Sequence, residues 1–444
     1  MTTTVKNVGL FFIVACLIAG TGLIQSWNTA LFILNMGLIS AIMALGVNLQ
    51  WGFAGLFNVG IMGFVALGGL ASVLISMPPT NDAWAAGGLH VLLGLVLGAA
   101  TVTAAIFVQA RIKAGRKKTL STICILIGGF FLFRYVFDGG VNAVEAIDAA
   151  STGYLGGLNF GGENYKEWGF MTIISWPVGG MFAAGVAWLI GKTALGLRSD
   201  YLAIATLGIS EIIIAVMKNE DWLARGVKNV IGLPRPVPYE IDLQESAIFL
   251  ERAASIGVDP VTASSIVVKL AYAGLFTVVL VVILVLAQMA LASPWGRMMR
   301  AIRDNENAAE AMGKNVTARH LQIFILGSAI CGVAGAMMTT LDSQLTPGSY
   351  QPLRFTFLIW VMVIVGGSGN NFGSVLGGFL IFFLWVQVEP MGAFLMHGIT
   401  AGMAEDNGLR IHLLESVAHM RLLTMGLILI LVLRFAPKGL IPEK

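Results

Sequence analysis

Charged side chains are what this sequence has least of. Lys, Arg, Asp and Glu make up 11% of its 444 residues, against about 25% in soluble domains. Hydrophobic residues make up 57% and the mean hydropathy is +0.83, which excludes a water-soluble globular chain. Three cysteines, Cys16, Cys124 and Cys331, all sit inside apolar runs and form neither a disulfide framework nor a metal-ligand spacing. Five histidines mark no catalytic constellation. No GxxxxGK[ST] phosphate loop is present, so the chain is expected to hold no nucleotide of its own, and no cofactor or metal. Neither covalent chemistry nor nucleic-acid binding is expected.

Long apolar runs are what is there. They fall at residues 8–24, 29–49, 53–77, 89–110, 119–137, 170–191, 201–217, 264–291, 321–341, 355–366, 372–388 and 422–434. Most approach the ~20 residues that a helix needs to cross a bilayer. The expected class is all-α and polytopic, with ten to twelve spanning, broken or re-entrant helices. The first run stays apolar beyond Cys16, so it reads as an uncleaved span and not as a lipoprotein leader.

The few charges orient these runs. Arg111, Lys113, Arg116, Lys117 and Lys118 crowd together without an acid, which places them in the cytoplasm. The next polar stretch, residues 138–168, carries Asp138, Glu145, Asp148, Glu163 and Glu167 against Lys166 and is expected outside. Residues 218–260 form a second external loop, with Pro234, Pro236 and Pro238 and one short helix near residues 244–255. Both termini are then cytoplasmic.

One polar passage, residues 293–320, looks built for a folded partner. Ser293 and Pro294 suit a helix start and Gly313 a stop. Met298, Ile302, Ala309 and Met312 recur on one face, with Arg297, Arg300 and Arg303 mostly off it. Three readings stand: a solvated loop, a helix lying on anionic lipid, and a helix inserted in a partner's groove. Asn307, Ala308, Ala309, Glu310 and Gly313 resemble the EAAxxxG signature of ABC-importer permeases, whose cytoplasmic helix seats in an ATPase cleft. Asn307 stands where that signature has Glu.

Further stretches extend the resemblance. Residues 45–60 with Phe64, Gly68 and Gly69 resemble the second and third spans of LivM-type permeases of branched-chain amino acid ABC importers. Residues 198–208 with Glu211 look like that family's central signature, and residues 231–236 like the loop after it. Residues 300–303, 310–316, 366–369 and 434–440 complete the series in order. Residues 78–168 are less family-like. The expected organisation is therefore N-terminal spans in residues 1–110, an insertion in residues 111–169, and a core permease domain in residues 170–444 that contains the coupling stretch.

The resemblance implies a bacterial inner-membrane subunit that shares its path with a LivH-like second permease. Two cytoplasmic ATPases would bind and hydrolyse ATP, and a periplasmic binding protein would deliver the amino acid. Arg300, Arg303, Asn307, Ala308, Ala309, Glu310 and Gly313 would couple the ATPases to the path. Asn48, Gly52, Gly55, Asn58, Gly60, Thr206, Gly208 and Glu211 are the candidate path residues. Two readings of the glycines compete: close helix packing, or a broken helix whose free peptide groups meet a solute. Glu211, a carboxylate inside an apolar run, either holds a helix contact or acts in the path. A urea or short-amide permease of the same superfamily and an ion-coupled secondary transporter are the rival functions.

Overall fold

The computed structural model describes residues 3–112, 115–147, 153–161, 169–405 and 407–443. Asp148, Glu163, Lys166 and Glu167 of the acidic stretch lie outside the described residues. Ten of the described helices are long and apolar enough to cross a membrane, and Ile61–Ser76 and Phe355–Gly366 are shorter apolar helices. The chain is an all-α, multi-pass membrane protein, in which each span satisfies its own backbone groups as lipid requires.

The main helices are α1 (Thr3–Ile24), α2 (Trp27–Val47), α3 (Ile61–Ser76), α4 (Leu89–Arg111), α5 (Arg116–Glu145), α6 (Gly169–Ala194) and α7 (Ser199–Asn219). After them come α8 (Pro260–Ala292), α9 (Pro294–Asp304), α10 (Glu306–Ala311), α11 (Val316–Asp342), α12 (Pro352–Gly366), α13 (Asn371–Thr400) and α14 (Met420–Phe435). Local capping sets several starts. Ser26 accepts from Thr29 N at 3.1 Å before α2, and Asp259 accepts from Thr262 N at 3.1 Å before Pro260 opens α8. The loop before α8 is helical over Ala247–Ile256, close to the expected place.

The core forms where α3, α6 and α11 cross, with α2 enclosed beside them. Glycine makes the crossing possible. A Cβ on Gly68 would lie 2.7 Å from the carbonyl carbon of Gly332, one on Gly332 2.6 Å from Gly179 O, and one on Gly335 2.7 Å from the carbonyl carbon of Val65. Without side chains at these points the backbones touch, and dispersion replaces the hydrophobic drive that lipid cannot supply.

The hairpin of α4 and α5 stands outside this core. Its helices pack mainly on each other, through Gly94 against Phe137 and the stacked Phe133 and Phe137 rings at 4.9 Å. Its foot joins a small separate cluster with Val91, Val144, Leu155 and Trp222. At that end of the molecule Val230–Ile231 and Gln344–Leu345 form a short antiparallel ladder. The start of α1, the α8–α11 connection and the C-terminal tail meet at the other end, where Asn7, Arg300 and Glu443 line one cavity.

Two expectations about segments are corrected. The run at residues 53–77 is not one helix, because residues 53–60 are irregular and α3 begins only at Ile61. The last-but-one span continues beyond residue 388 to Thr400, through Pro390.

The glycine crossing yields a prediction. Gly68→Leu should overpack the core at a cost of about 1–3 kcal/mol or more, lowering the yield of monodisperse protein in detergent. Gly20→Leu, at a position with open space around it, should leave the yield unchanged. Equal yields would show that the crossing tolerates bulk.

Candidate functional site

An interrupted helix lies at the centre of the molecule. After Val47 the chain makes a wide π-turn over Asn48–Gly52, then runs irregularly to Gly60. Such a break within an apolar core leaves peptide groups that must find other partners. Buried amide side chains supply them. Asn48 Oδ1 accepts from Gly369 N at 2.8 Å, while Asn48 Nδ2 donates to Asn371 Oδ1 at 3.0 Å. Gln50 Nε2 donates to Phe324 O at 2.9 Å and to Ser328 Oγ at 3.1 Å, and Gln50 Oε1 accepts from Asn58 Nδ2 at 2.9 Å. Asn58 Oδ1 accepts from Gly60 N at 2.9 Å, and Thr206 Oγ1 from Val59 N at 3.1 Å.

Glycine again sets the distances. Gly55 adopts φ +70°, a conformation that L side chains rarely take. A Cβ on Gly52 would sit 2.5 Å from Gly369 N, and one on Gly60 2.8 Å from the carbonyl carbon of Thr206. Asn48, Gly52, Asn58, Gly60 and Thr206 are thus brought together, all buried. They brace the break, and at Gly52 and Gly60 the glycines serve close packing. Gly55 and Phe57 are exposed beside it, with Phe57 and Trp51 packed on Trp360 at 4.6 and 4.7 Å between ring centroids.

Gly208 and Glu211 do not join this group. On α7, Leu202, Thr206, Ser210, Ile214 and Met217 face inward, and Gly208 and Glu211 lie on the exposed side. Glu211 is therefore not held in the interior of this chain, and among the described residues it has no hydrogen-bond partner. Gln50 and Trp360, which donates from Nε1 to Asn58 O at 3.2 Å, were missed by the reading of the sequence. Gln50 carried a usable signal, being an uncharged polar group in an apolar run two residues after Asn48.

The passage at residues 293–313 is two helices, not one. Ser293 does not cap with its side chain; its hydroxyl donates to Ala290 O at 2.6 Å. Asn305 breaks the helix and caps the next, accepting from Ala308 N at 3.0 Å. Gly313 ends it at φ +74°. The break rotates the expected stripe apart. Met299, Ile302 and Ala309 turn into the protein's own core, whereas Met312 is 79% exposed. Asn307, Ala308, Glu310 and Ala311 are exposed with it.

The two arginines hold this segment to the body. Arg300 Nη2 donates to Leu291 O at 3.3 Å. Arg303 Nη1 donates to Gly52 O in the interrupted helix and to Glu443 Oε2 at 2.9 Å. Burial alone would lower the Arg303 pKa, but the bonds and charges of Glu443 and Asp304 outweigh it and hold it above the ordinary value. A cavity of about 740 Å³ opens beside this junction, lined by Phe53, Arg300, Asn371, Phe372 and Glu443 among others.

An interrupted helix at the centre, a carboxylate exposed on a spanning helix and a short exposed helix between α9 and α11 are the distinguishing features of this multi-pass membrane protein. The family model described as branched-chain amino acid transport system, permease component, matches residues 29–154 and 149–433, and the chain belongs to that family. It is 27% identical over 278 residues to the high-affinity branched-chain amino acid transport system permease protein LivM of Escherichia coli (strain K12), covering 59% of this chain and 60% of that one. The protein of the same name from Salmonella typhimurium is 26% identical over 264 residues, covering 58% and 57%. A probable branched-chain amino acid transport permease protein LivM of Methanocaldococcus jannaschii is 29% identical over 154 residues, covering 35% and 41%. The chain thus spans about three fifths or less of the length of these relatives. No solved structure matches it.

Replacing Asn58 tests the bracing. Asn58→Leu strips Gly60 N of its acceptor and Gln50 Oε1 of its donor, each costing about 1–3 kcal/mol. Thermal denaturation of the purified chain should shift down by several degrees. An unshifted melting curve would mean that the break needs no side-chain support.

Proposed function

We propose that this chain is the permease subunit of an ATP-driven importer for branched-chain or other hydrophobic amino acids. It forms the path with a second, LivH-like permease in the bacterial inner membrane. Two cytoplasmic ATPases drive the pair, one of them seating on the exposed faces of α9 and α10, and a periplasmic binding protein delivers cargo to the loops between α7 and α8. The chain itself carries out no chemical step and binds no ATP or other cofactor. The relatives' names support the cargo, and the basic cluster around Arg116, Lys117 and Lys118 supports a cytoplasmic location for the end that holds α9 and the tail.

The observation that carries the reading is the bond from Arg303 to Gly52 O, which fastens the docking segment directly to the interrupted helix. A push on α10 thereby reaches the part of the chain where the helix is broken. A secondary transporter has no use for such a link. The Glu211 face of α7 supports the second permease. A carboxylate exposed to hydrocarbon costs at least about 2.5–3.5 kcal/mol, and a partner's polar groups or a watered path remove that cost.

Reconstituted uptake tests the reading. Wild-type complex should import only with both ATPases and ATP, and uptake driven by an ion gradient alone would sink the proposal. Ala308→Arg should insert normally yet lose ATPase copurification and uptake, since Ala308 is exposed on α10; full copurification and uptake would place the docking face elsewhere. For Glu211, Gln keeps hydrogen bonding but not charge. Glu211→Leu should reduce assembly with the second permease, and Glu211→Gln should assemble well. Equal assembly of the Leu variant would show that α7 does not meet the partner.

A further inference from the structure

The C-terminal tail has a place in the fold that its exposure does not suggest. A helix leaves its last carbonyls unpaired, and α12 ends against a glycine-rich turn, residues 366–369. The tail supplies the missing donors: Leu440 N donates to Val365 O and Ile441 N to Gly366 O, both at 2.9 Å. Ile441 is buried, and Pro442 O accepts from Asn370 Nδ2 at 3.0 Å. Glycines permit the approach. Gly367 and Gly439 have φ +121° and +74°, and a Cβ on Gly439 would lie 2.5 Å from Gly367 N.

Each end of this segment reaches a different part of the fold. Glu443 pairs with Arg303 at 2.9 Å, the residue that also bonds Gly52 O. The turn held by the tail bonds the interrupted helix a second time, through Gly369 N and Asn48 Oδ1. Docking segment, tail, turn and interrupted helix therefore close a loop of contacts. Among these links, the Arg303–Glu443 pair is the only direct bond between the docking segment and the tail among the described residues.

We infer that residues 440–443 are a tether that makes the docking segment, the 366–369 turn and the interrupted helix move as one body. Glu443 is a positioning residue in this scheme: it touches no solute and acts through Arg303. Without it Arg303 keeps Gly52 O and Asp304 but loses its link to the tail, so α9 and the break can shift together against the 366–369 turn. The inference rests on the proposed ATP-driven function for its consequence, and on the structure alone for the mechanical link.

Two measurements test it separately. In proteoliposomes holding the full complex, Glu443→Ala should reduce amino acids carried per ATP hydrolysed by at least about five-fold, the lower edge of ordinary coupling between sites. Loss of folded complex would lower uptake and hydrolysis together and leave that ratio unchanged. An unchanged ratio overturns the tether, whereas a wild-type complex without ATP-dependent uptake overturns the proposed function instead. The second measurement needs no transport. In membranes, with native cysteines replaced by alanine, Ala54→Cys should react slowly with a thiol reagent, because Ala54 is buried in the interrupted segment. Adding Glu443→Ala should raise that rate several-fold, and so should truncation after Lys438. An unaltered rate in the Glu443→Ala background overturns the mechanical link directly.

Discussion

An interrupted helix inside an apolar core poses a single problem, and much of this structure is its solution. Each peptide group released from the helical ladder costs several kcal/mol in a medium without water unless it finds a partner. Here Thr206, Asn58, Trp360 and Arg303 meet the peptide groups of Val59, Gly60, Asn58 and Gly52, while the side chains of Asn48 and Gln50 anchor the break to Ser328 on α11, Asn371 on α13 and the backbone of the 366–369 turn. Most of these bonds tie a distant stretch of chain to the break. The conformation of residues 48–60 is thus over-determined from outside, which is how an irregular backbone persists where a continuous helix would be cheaper.

Close approach is the second condition, and it explains where glycine falls. Two different demands use the same residue. At Gly68, Gly179, Gly332 and Gly335 the need is for absent side chains, so that three helices cross backbone to backbone. At Gly55, Gly367 and Gly439 the need is for a positive φ, which turns the chain where the interrupted helix, the turn and the tail meet. The first group makes a rigid core. The second sits at the end where the α9–α10 segment attaches, and there the turns let the tail and the 366–369 segment approach backbone to backbone.

Much of the architecture was legible in the sequence, because a bilayer imposes length and hydropathy so strongly. All twelve apolar runs contain a helix, in order, although the run at 53–77 is helical only from Ile61, and the family signature ran along the chain. The break after Val47 was harder to place, since hydropathy does not change across residues 53–60 and only the glycines hint at it. The segment at residues 293–313 was misread for a related reason. A periodic stripe identifies one face only while the helix continues, and Asn305 ends one helix and starts another. Ile302 and Ala309 then belong to the core side and Met312 to the solvent side.

Glu211 shows most clearly what a single chain leaves undetermined. In sequence it is a carboxylate within an apolar run, which suggests an interior partner. In the fold Thr206 and Ser210, five and one residues earlier, take the inward positions, and the helical repeat of 3.6 residues turns Glu211 away from them. Sequence periodicity could have told that Glu211 and Thr206 face differently, but not which of the two faces this chain covers, since both are largely apolar. The fold resolves that choice and creates another constraint. A carboxylate directed out of a spanning helix is tolerable where protein or water meets it, and not against lipid tails. The same face carries Gly208, with open space around it, so a neighbouring helix can come close at that point. A small residue and a carboxylate one turn apart on one exposed face supply both requirements of a polar helix contact within a bilayer: backbone approach and a group that needs a donor.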